Sequence, residues 1–355
     1  MRVLTIGGAT YDIFIDYAAR TCVIDEQPSI FLPAGQKIDL DAVSYYSGGG
    51  ATNSAASFAR LGFCASSFFK IGNDCAGLFI VDQLQKESII THQVISETEK
   101  TSCSFILPCP SGDKTILVYR GANNTITKDE IPVDLIVQHD LIYISSLGGS
   151  TAQLLPDIVR IAHENKILVA VNPGGSQLKF ARSLYDALSF IDILILNSYE
   201  AQLFMGYPVR PAKPAVTRKS EGWEFIEGWL TTFFETVFAR GTKIAVVTDG
   251  ANGVYVASPA HAPNKILFHP SAPVQPVSTV GAGDAFGSCF VAQLAQGKSI
   301  GDAMRAGIAN SGSVIMHVGA KTGLLHQADL DKKIGEMDQN LLQELSCTGG
   351  SYDKK

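Results

Sequence analysis

From about residue 134 the chain repeats one pattern, short apolar runs each followed by a helical stretch. Leu141–Ile144, Ile167–Val171, Ile191–Leu196 and Lys243–Thr248 read as strands, with helices over 151–164 and 182–189 between them. The strands are apolar throughout rather than alternating. That pattern belongs to a mostly parallel sheet covered by helices on both faces, a three-layer α/β sandwich. Val3–Ile6, closed by Gly7-Gly8, and Cys64–Ile71 fit the same sheet. Near the other end, Phe286, Phe290 and Leu294 recur at helical spacing beside Ala285 and Cys289, which predicts a buried helix. Ser299 can cap another helix, packed through Ala303, Ala306, Ile308 and Ala309, with Gly319-Ala320 closing it.

Elsewhere the periodicity changes. Ile13, Ile15 and Tyr17 alternate with Phe14 and Asp16, and Pro28, Pro33 and Gly35 interrupt any helix. Residues 18–46 therefore read as short strands that cover something. Cys103–Leu107 and Thr115–Tyr119 read as a hairpin turning through Ser111–Lys114. Gly72-Asn73-Asp74 turns into a helix with Leu78, Val81 and Leu84 on one face. Residues 207–221 look like a surface insertion, 222–239 like an amphipathic helix, and the polar end, 341–355, like a fraying tail.

Composition narrows the function. A chain of 355 residues with 46% hydrophobic content can bury a large core. The net charge of −6 and the lack of a basic run argue against a nucleic-acid partner. The start has no signal-peptide order of regions, and no apolar run approaches the about 20 residues of a membrane span. Seven cysteines, at 22, 64, 75, 103, 109, 289 and 347, form no C-x-x-C pair, so reduced thiols in a cytoplasmic protein are expected.

The stretch from Val277 to Phe286 holds the chemistry. Gly281 and Gly283 let the backbone curl at a helix start, where unpaired amides and the helix dipole favour an anion such as phosphate. An acidic side chain there, Asp284, repels phosphate as a ligand. It makes sense as a base that takes a proton from a hydroxyl attacking phosphorus. A dipole-stabilised Asp is the plain alternative. Gly48-Gly49-Gly50 before an Ala-rich helix permits close ligand approach, and Asn53 offers a donor and acceptors for hydroxyl groups. Arg120, at a strand end, suits an anionic or hydroxylated ligand, although a solvated cation is the commoner outcome. Asn172 and Asn197 fall at carboxyl ends of strands, where ligands of such sheets collect. Ser198 can cap the following helix. Glu200 in its first turn is either a dipole-favoured carboxylate or a Mg²⁺ ligand, direct or through water. Gly297-Lys298-Ser299 is not a phosphate loop, because Ala292 stands where that loop needs glycine. Gly281, Gly283 and Gly287 likewise miss the dinucleotide spacing.

Taken in order, these motifs resemble the PfkB, or ribokinase-like, carbohydrate kinases over roughly residues 1–325. The matching parts are Gly48-Gly49 through Asn53, Gly72-Asn73-Asp74 with Gly77, Asn197-x-x-Glu200, Val247-Thr248-x-Gly250-x-x-Gly253, and Ser278-Thr279-Val280-Gly281-Ala282-Gly283-Asp284-Ala285-Phe286. The resemblance implies one kinase domain over 1–340 and transfer of the γ-phosphoryl group of ATP to a hydroxymethyl group of a sugar or nucleoside. It implies that Asp284 is the base and that the backbone of Gly281, Ala282 and Gly283 forms the anion hole. Asn197 and Glu200 would organise Mg²⁺ and phosphates, Thr248 and Gly250 the nucleotide turn, and Asn310 the adenine region. Asp12, Gly48, Gly49 and Asn53 would hold the acceptor, under a small β lid made of 10–46 and 95–120. Lids in this family often pair, which leaves a homodimer open. Ser278 replaces the family's usual Asp, so K⁺ activation is in question, although backbone carbonyls remain. Asp249 replaces a commonly apolar residue and either weakens nucleotide binding or points to solvent. Three readings are carried forward: a sugar kinase, a nucleoside kinase kept open by Tyr11, Phe14, Tyr17, Tyr45 and Tyr46 in or near the lid, and a non-catalytic sugar sensor, against which Asp284 and the Gly281–Gly283 loop argue.

Overall fold

The computed structural model describes residues 1–346 except 18–19, 25–26, 109–113, 208–215, 220–221, 226–227 and 262–263. The expected turn at 111–113, most of the 207–221 insertion, Cys109 and Cys347 lie outside the described residues. The strands are β1 (Arg2–Ile6), β2 (Thr10–Asp16), β3 (Arg20–Ile24), β4 (Gln27–Phe31), β5 (Ala42–Gly48), β6 (Cys64–Gly72), β7 (Ile90–Ser96), β8 (Ser102–Pro108) and β9 (Lys114–Tyr119). They continue with β10 (Leu141–Ile144), β11 (Leu168–Val171), β12 (Ile193–Asn197), β13 (Val216–Lys219), β14 (Gly222–Phe225), β15 (Ile244–Thr248), β16 (Val254–Ala257), β17 (Lys265–His269) and β18 (Gln343–Ser346). The helices are α1 (Gly50–Arg60), α2 (Cys75–Lys86), α3 (Val133–Ile136), α4 (Leu155–Glu164), α5 (Gly175–Lys179), α6 (Ala181–Ala187), α7 (Ser198–Phe204), α8 (Gly228–Phe238), α9 (Ala282–Ala295), α10 (Ile300–Val314) and α11 (Gln327–Glu336).

One ten-stranded sheet runs β18-β17-β16-β15-β12-β11-β10-β1-β6-β7. Every neighbouring pair from β7 to β15 is parallel, and the β16–β18 end is antiparallel. Successive residues of the parallel strands feed two separate cores. Leu4, Ile144 and Val171 pack with α4, α6 and α8, whereas Val3, Tyr143 and Ala170 pack with α1, α9 and α10. Both faces are dry, which is why these strands show no alternation. Among the described residues no helix is long and apolar enough to cross a membrane.

A second sheet, β5-β2-β8-β9, stands beside the large one. Asp12 of β2 lies opposite Tyr46 on one side and Ser104 on the other. Chain leaves the large sheet for this smaller one through Gly7-Gly8-Ala9 and returns through Gly48-Gly49 into α1. Asp74 caps α2 by accepting from Gly77 N, and also accepts from the backbone N and Oγ1 of Thr101 just before β8.

Three expectations change. Residues 222–225 are not helical but form β14, paired with β13 in a hairpin, and α8 starts only at Gly228. Trp223 and Phe225 are strand formers at alternate positions, which the longer helical reading overlooked. The tail does not fray from 341: Gln343–Ser346 add a last antiparallel strand to β17, and 347–355 lie outside the described residues. The third is a helix end: α10 stops at Val314, before Gly319-Ala320.

Candidate active site

The carboxyl ends of β10, β11, β12 and β15 open onto a cleft whose centre is the start of α9. Gly281 is the N-cap with φ 82, a left-handed conformation open to glycine, and a Cβ there would sit 2.5 Å from Ala320 Cβ. α9 begins at Ala282, so the Gly283 and Asp284 amides have no preceding helical carbonyl to bond. The Ala282 amide leans to Thr279 O at 3.4 Å, a long turn bond.

Three chambers meet at this loop. The first, about 370 Å³, lies between Asn172, Asn197, Glu200, Thr248, Gly283 and Asp284. The second, about 410 Å³, shares Asn197, Thr248 and Gly283 and extends past Gly250 to the apolar walls of Phe286, Ile308 and Ile315. The third, about 210 Å³, shares Gly281 and Asp284 and is closed by Asp12, Asn53, Ser104 and Ile106. Asp284 thus stands on the border of the first and third chambers.

Local structure holds these groups in place. Asn53 Nδ2 donates to Asp284 Oδ2 at 2.8 Å, while its buried Oδ1 has no partner among the described residues. Burial pushes the Asp284 carboxyl above its ordinary pKa, against the opposing pull of the Asn53 bond and the Lys321 ammonium. Asp12, 7% exposed, is pushed up to about 6, chiefly by burial, with Lys321 and a bond from Ser104 opposing and Asp284 adding to the rise. Gly48 leaves the room Asp12 needs, because a Cβ there would fall 1.9 Å from Asp12 Oδ2. Gly49, at φ 94, lets the turn pass 2.4 Å from Gly8 O, measured from where its Cβ would be.

Asn197, not Ser198, caps α7. Its Oδ1 accepts from Glu200 N at 2.8 Å, and Glu200 Oε2 accepts from Asn197 N at 2.9 Å, a reciprocal capping box. Burial raises the Glu200 pKa, and these bonds oppose the rise. Asp249 neither lines the second chamber nor points to solvent. It is 7% exposed and accepts from Asn252 Nδ2 inside the turn.

Two expected site residues are elsewhere. Asn310 is fully buried, with Nδ2 donating to Ala285 O and Oδ1 accepting from Leu325 N, so it ties α10 to α9 and to the following loop. Its helical neighbours Ile308, Ser311 and Gly312 line the second chamber instead. Arg120 is exposed at the end of β9 and lines none of the three chambers. The residues missed were Ser104 and Ile106, which a β2–β8 pairing would have revealed, and Lys114 and Lys321. Lys114 donates from the small sheet to Thr279 Oγ1 at 2.7 Å, and burial lowers its pKa. Neither lysine stands in any recognisable motif.

A family model described as "pfkB family carbohydrate kinase" matches residues 11–327. Ribokinase of Bacillus subtilis (strain 168) is 25% identical over 328 residues, covering 91% of this chain and 96% of that protein. Among solved structures, Arabidopsis thaliana ribokinase complexed with ribose and ATP superposes with a TM-score of 0.71 at 18% identity, covering 94% of this chain and 98% of that one. A Methanocaldococcus jannaschii nucleoside kinase gives 0.71 at 16% identity over 95% and 98%.

Proposed function

The chain belongs to the pfkB family of carbohydrate kinases, and we propose that it moves the γ-phosphoryl group of ATP to a hydroxymethyl group of a small, unphosphorylated sugar. One observation carries this reading: Asp284 borders both the third chamber and the one flanked by the Gly281–Gly283 loop. A hydroxyl held in the third chamber meets Asp284 from one side. The phosphoryl group it attacks approaches from the other.

The roles follow from the contacts. Asn53 holds one oxygen of Asp284, which leaves the other to take the hydroxyl proton. The orphaned Asn53 Oδ1 and the Asp12 carboxylate accept from the acceptor's other hydroxyls. Amides at the start of α9 cradle the migrating oxygens, where developing negative charge is greatest. Thr248 and Gly250 border the second chamber, whose apolar walls suit a nucleotide base. Asn197 and Glu200 supply hard oxygen donors at the first chamber, which fits Mg²⁺ held mainly by phosphates and water. When bound, Mg²⁺ neutralises phosphate charge. Ser278 Oγ accepts from Val280 N and brings no carboxylate, so the reading does not include K⁺.

The acceptor follows from the third chamber. Asp12 and Asp284 both line it and would repel a second phosphate. Its volume, about 210 Å³, suits a sugar better than a whole nucleoside. Four of the five aromatic residues that kept a nucleoside open pair with each other, Tyr11 stacking on Tyr45 and Phe14 meeting Tyr46 edge-on. Ile106 and Ile116, from β8 and β9, cover the chamber as the segments 10–46 and 95–120 of a water-excluding lid would. A cytoplasmic setting suits the free thiols of Cys64, Cys75, Cys103 and Cys289.

Purified protein with ATP and Mg²⁺ should release ADP with at least one neutral sugar from a panel of sugars, sugar phosphates and nucleosides. Turnover confined to nucleosides would favour the second reading. Sugar binding with no phosphorylation of any panel member would make the protein a sensor.

A further inference from the structure

Lys321 lies in the loop after α10, outside every motif, yet its ammonium reaches Ser47 and Thr52, which flank the Gly48-Gly49 turn. Nζ donates to Ser47 O, to Ser47 Oγ at 2.8 Å and to Thr52 Oγ1 at 2.8 Å. Thr52 Oγ1 in turn donates to Gly48 O at 2.7 Å. One side chain thus pins the end of β5, the Gly48-Gly49 turn and the first turn of α1, which carries Asn53. The loop itself is braced. Ala320 packs against Gly281, Gly319 against the Tyr46 ring, and Arg60 Nη1 donates to Lys321 O and Leu324 O at 2.9 Å.

We propose that Lys321 is a positioning residue of the transfer site: its ammonium is the shared counter-charge for Asp12 and Asp284 and locks the Gly48-Gly49 turn beneath them. The proposal rests on the reading of Asp284 as base and Asp12 as acceptor ligand.

Three features support it. Two carboxylates share one small chamber, and each disfavours the other's ionised form. Among the described residues, Lys321 is the cation whose charge opposes the rise of both carboxyls. All three N–H bonds of the ammonium are spent on protein oxygens, so it has none left for a phosphate or for proton transfer. The charged groups around Lys321 are Asp12 on β2, Asp284 on α9, Glu87 after α2 and Arg60 on α1, and burial draws its own pKa down to about 7. Asp284 in turn acts on Tyr143 of β10 and Glu200 of α7. A neutral amine would lose one of the three donors and leave both carboxylates uncompensated.

The test is a ¹³C NMR titration of the whole protein labelled at aspartate Cγ, the two signals assigned with Asp12→Asn and Asp284→Asn. Lys321→Met should move both titrations up by about one pH unit, and Lys321→Arg should leave them near wild type. The acid limb of kcat/KM should move with them. In wild type both signals should shift again as Lys321 loses its proton near pH 7, and this second step should vanish in Lys321→Arg. That second step keeps the test alive if the Met variant does not fold. Unmoved titrations in a folded Lys321→Met protein, or a second step that persists in Lys321→Arg, would overturn the proposal. The NMR readout needs no acceptor. Shifted carboxylates in a protein that phosphorylates nothing would therefore count against the kinase reading and not against the charge role of Lys321.

Discussion

Replacing Asp284 by Asn removes a proton acceptor and little else. The side chain keeps its size. Asn53 Nδ2, now 2.8 Å from Oδ2, finds an amide oxygen in the same place. Asp12 and Asn53, which line the third chamber, are untouched. Loss of a general base costs about 10²–10⁴-fold in rate. At about 1.36 kcal/mol per factor of ten, this is about 3–5 kcal/mol of transition-state stabilisation. The loss should fall on kcat, measured by coupled ADP release, with acceptor and nucleotide affinities by calorimetry nearly unchanged. The pH dependence gives a second reading. Burial raises the Asp284 pKa, so wild-type turnover falls as pH drops through that raised value, and the variant's residual rate should lack this limb. Stability moves the opposite way. A carboxyl whose folded pKa is raised contributes its full stability below the unfolded value of about 3.9 and loses it as pH rises through the folded one. The variant should therefore melt above wild type at neutral pH, and the gap should close toward pH 4. Undiminished kcat, or a loss carried wholly by KM, would refute the assignment of the base.

Gly281→Ala puts a Cβ 2.5 Å from Ala320 Cβ at φ 82, so kcat should fall about 10²-fold and the melting temperature with it; normal kcat would show that the loop need not hold its present shape. Glu200→Gln keeps an oxygen for Asn197 N but removes the charge, so the Mg²⁺ concentration for half-maximal rate should rise; an unchanged Mg²⁺ curve would leave Glu200 a helix cap only. Turnover should be the same in K⁺ and in a bulky organic cation, because Ser278 offers no carboxylate; strong activation by K⁺ would point to a site built from carbonyls. The small sheet exposes Tyr45 (53%), Leu117 (53%) and Tyr119 (44%), so sedimentation should show a dimer that Leu117→Lys weakens, and a wild-type monomer would remove the pairing.

Strands buried on both faces, such as Leu141–Ile144 and Ile193–Asn197, were legible because continuous apolar runs between helical stretches have few other folds. The cleft centre was legible for a related reason: glycines and an acid at a helix start follow from backbone geometry that any reader of the chain can apply. Asn310 was misplaced because an amide on a helix serves a ligand or a neighbouring loop equally well, and only burial decides. Arg120 belongs to the same class, its destination set by which way the end of β9 faces. Lys321 left no local trace, since its partners at 47 and 52 and its charged neighbours at 12 and 284 are brought together only by the closed fold. The strand at 343–346 was hidden for want of apolar alternation, because an edge strand is held mostly by its ladder to β17.

The division of labour between the two sheets has a consequence for how such a protein diversifies. On the proposed reading, Asp12, Ser104, Ile106 and Ile116, which would shape the space for the alcohol, are borne by the small sheet, whereas the groups that would surround the phosphates hang from the large one. Selection can therefore recut the receiving pocket strand by strand while the donor machinery stays intact. A new substrate demands changes on one side of Asp284 and leaves the other alone.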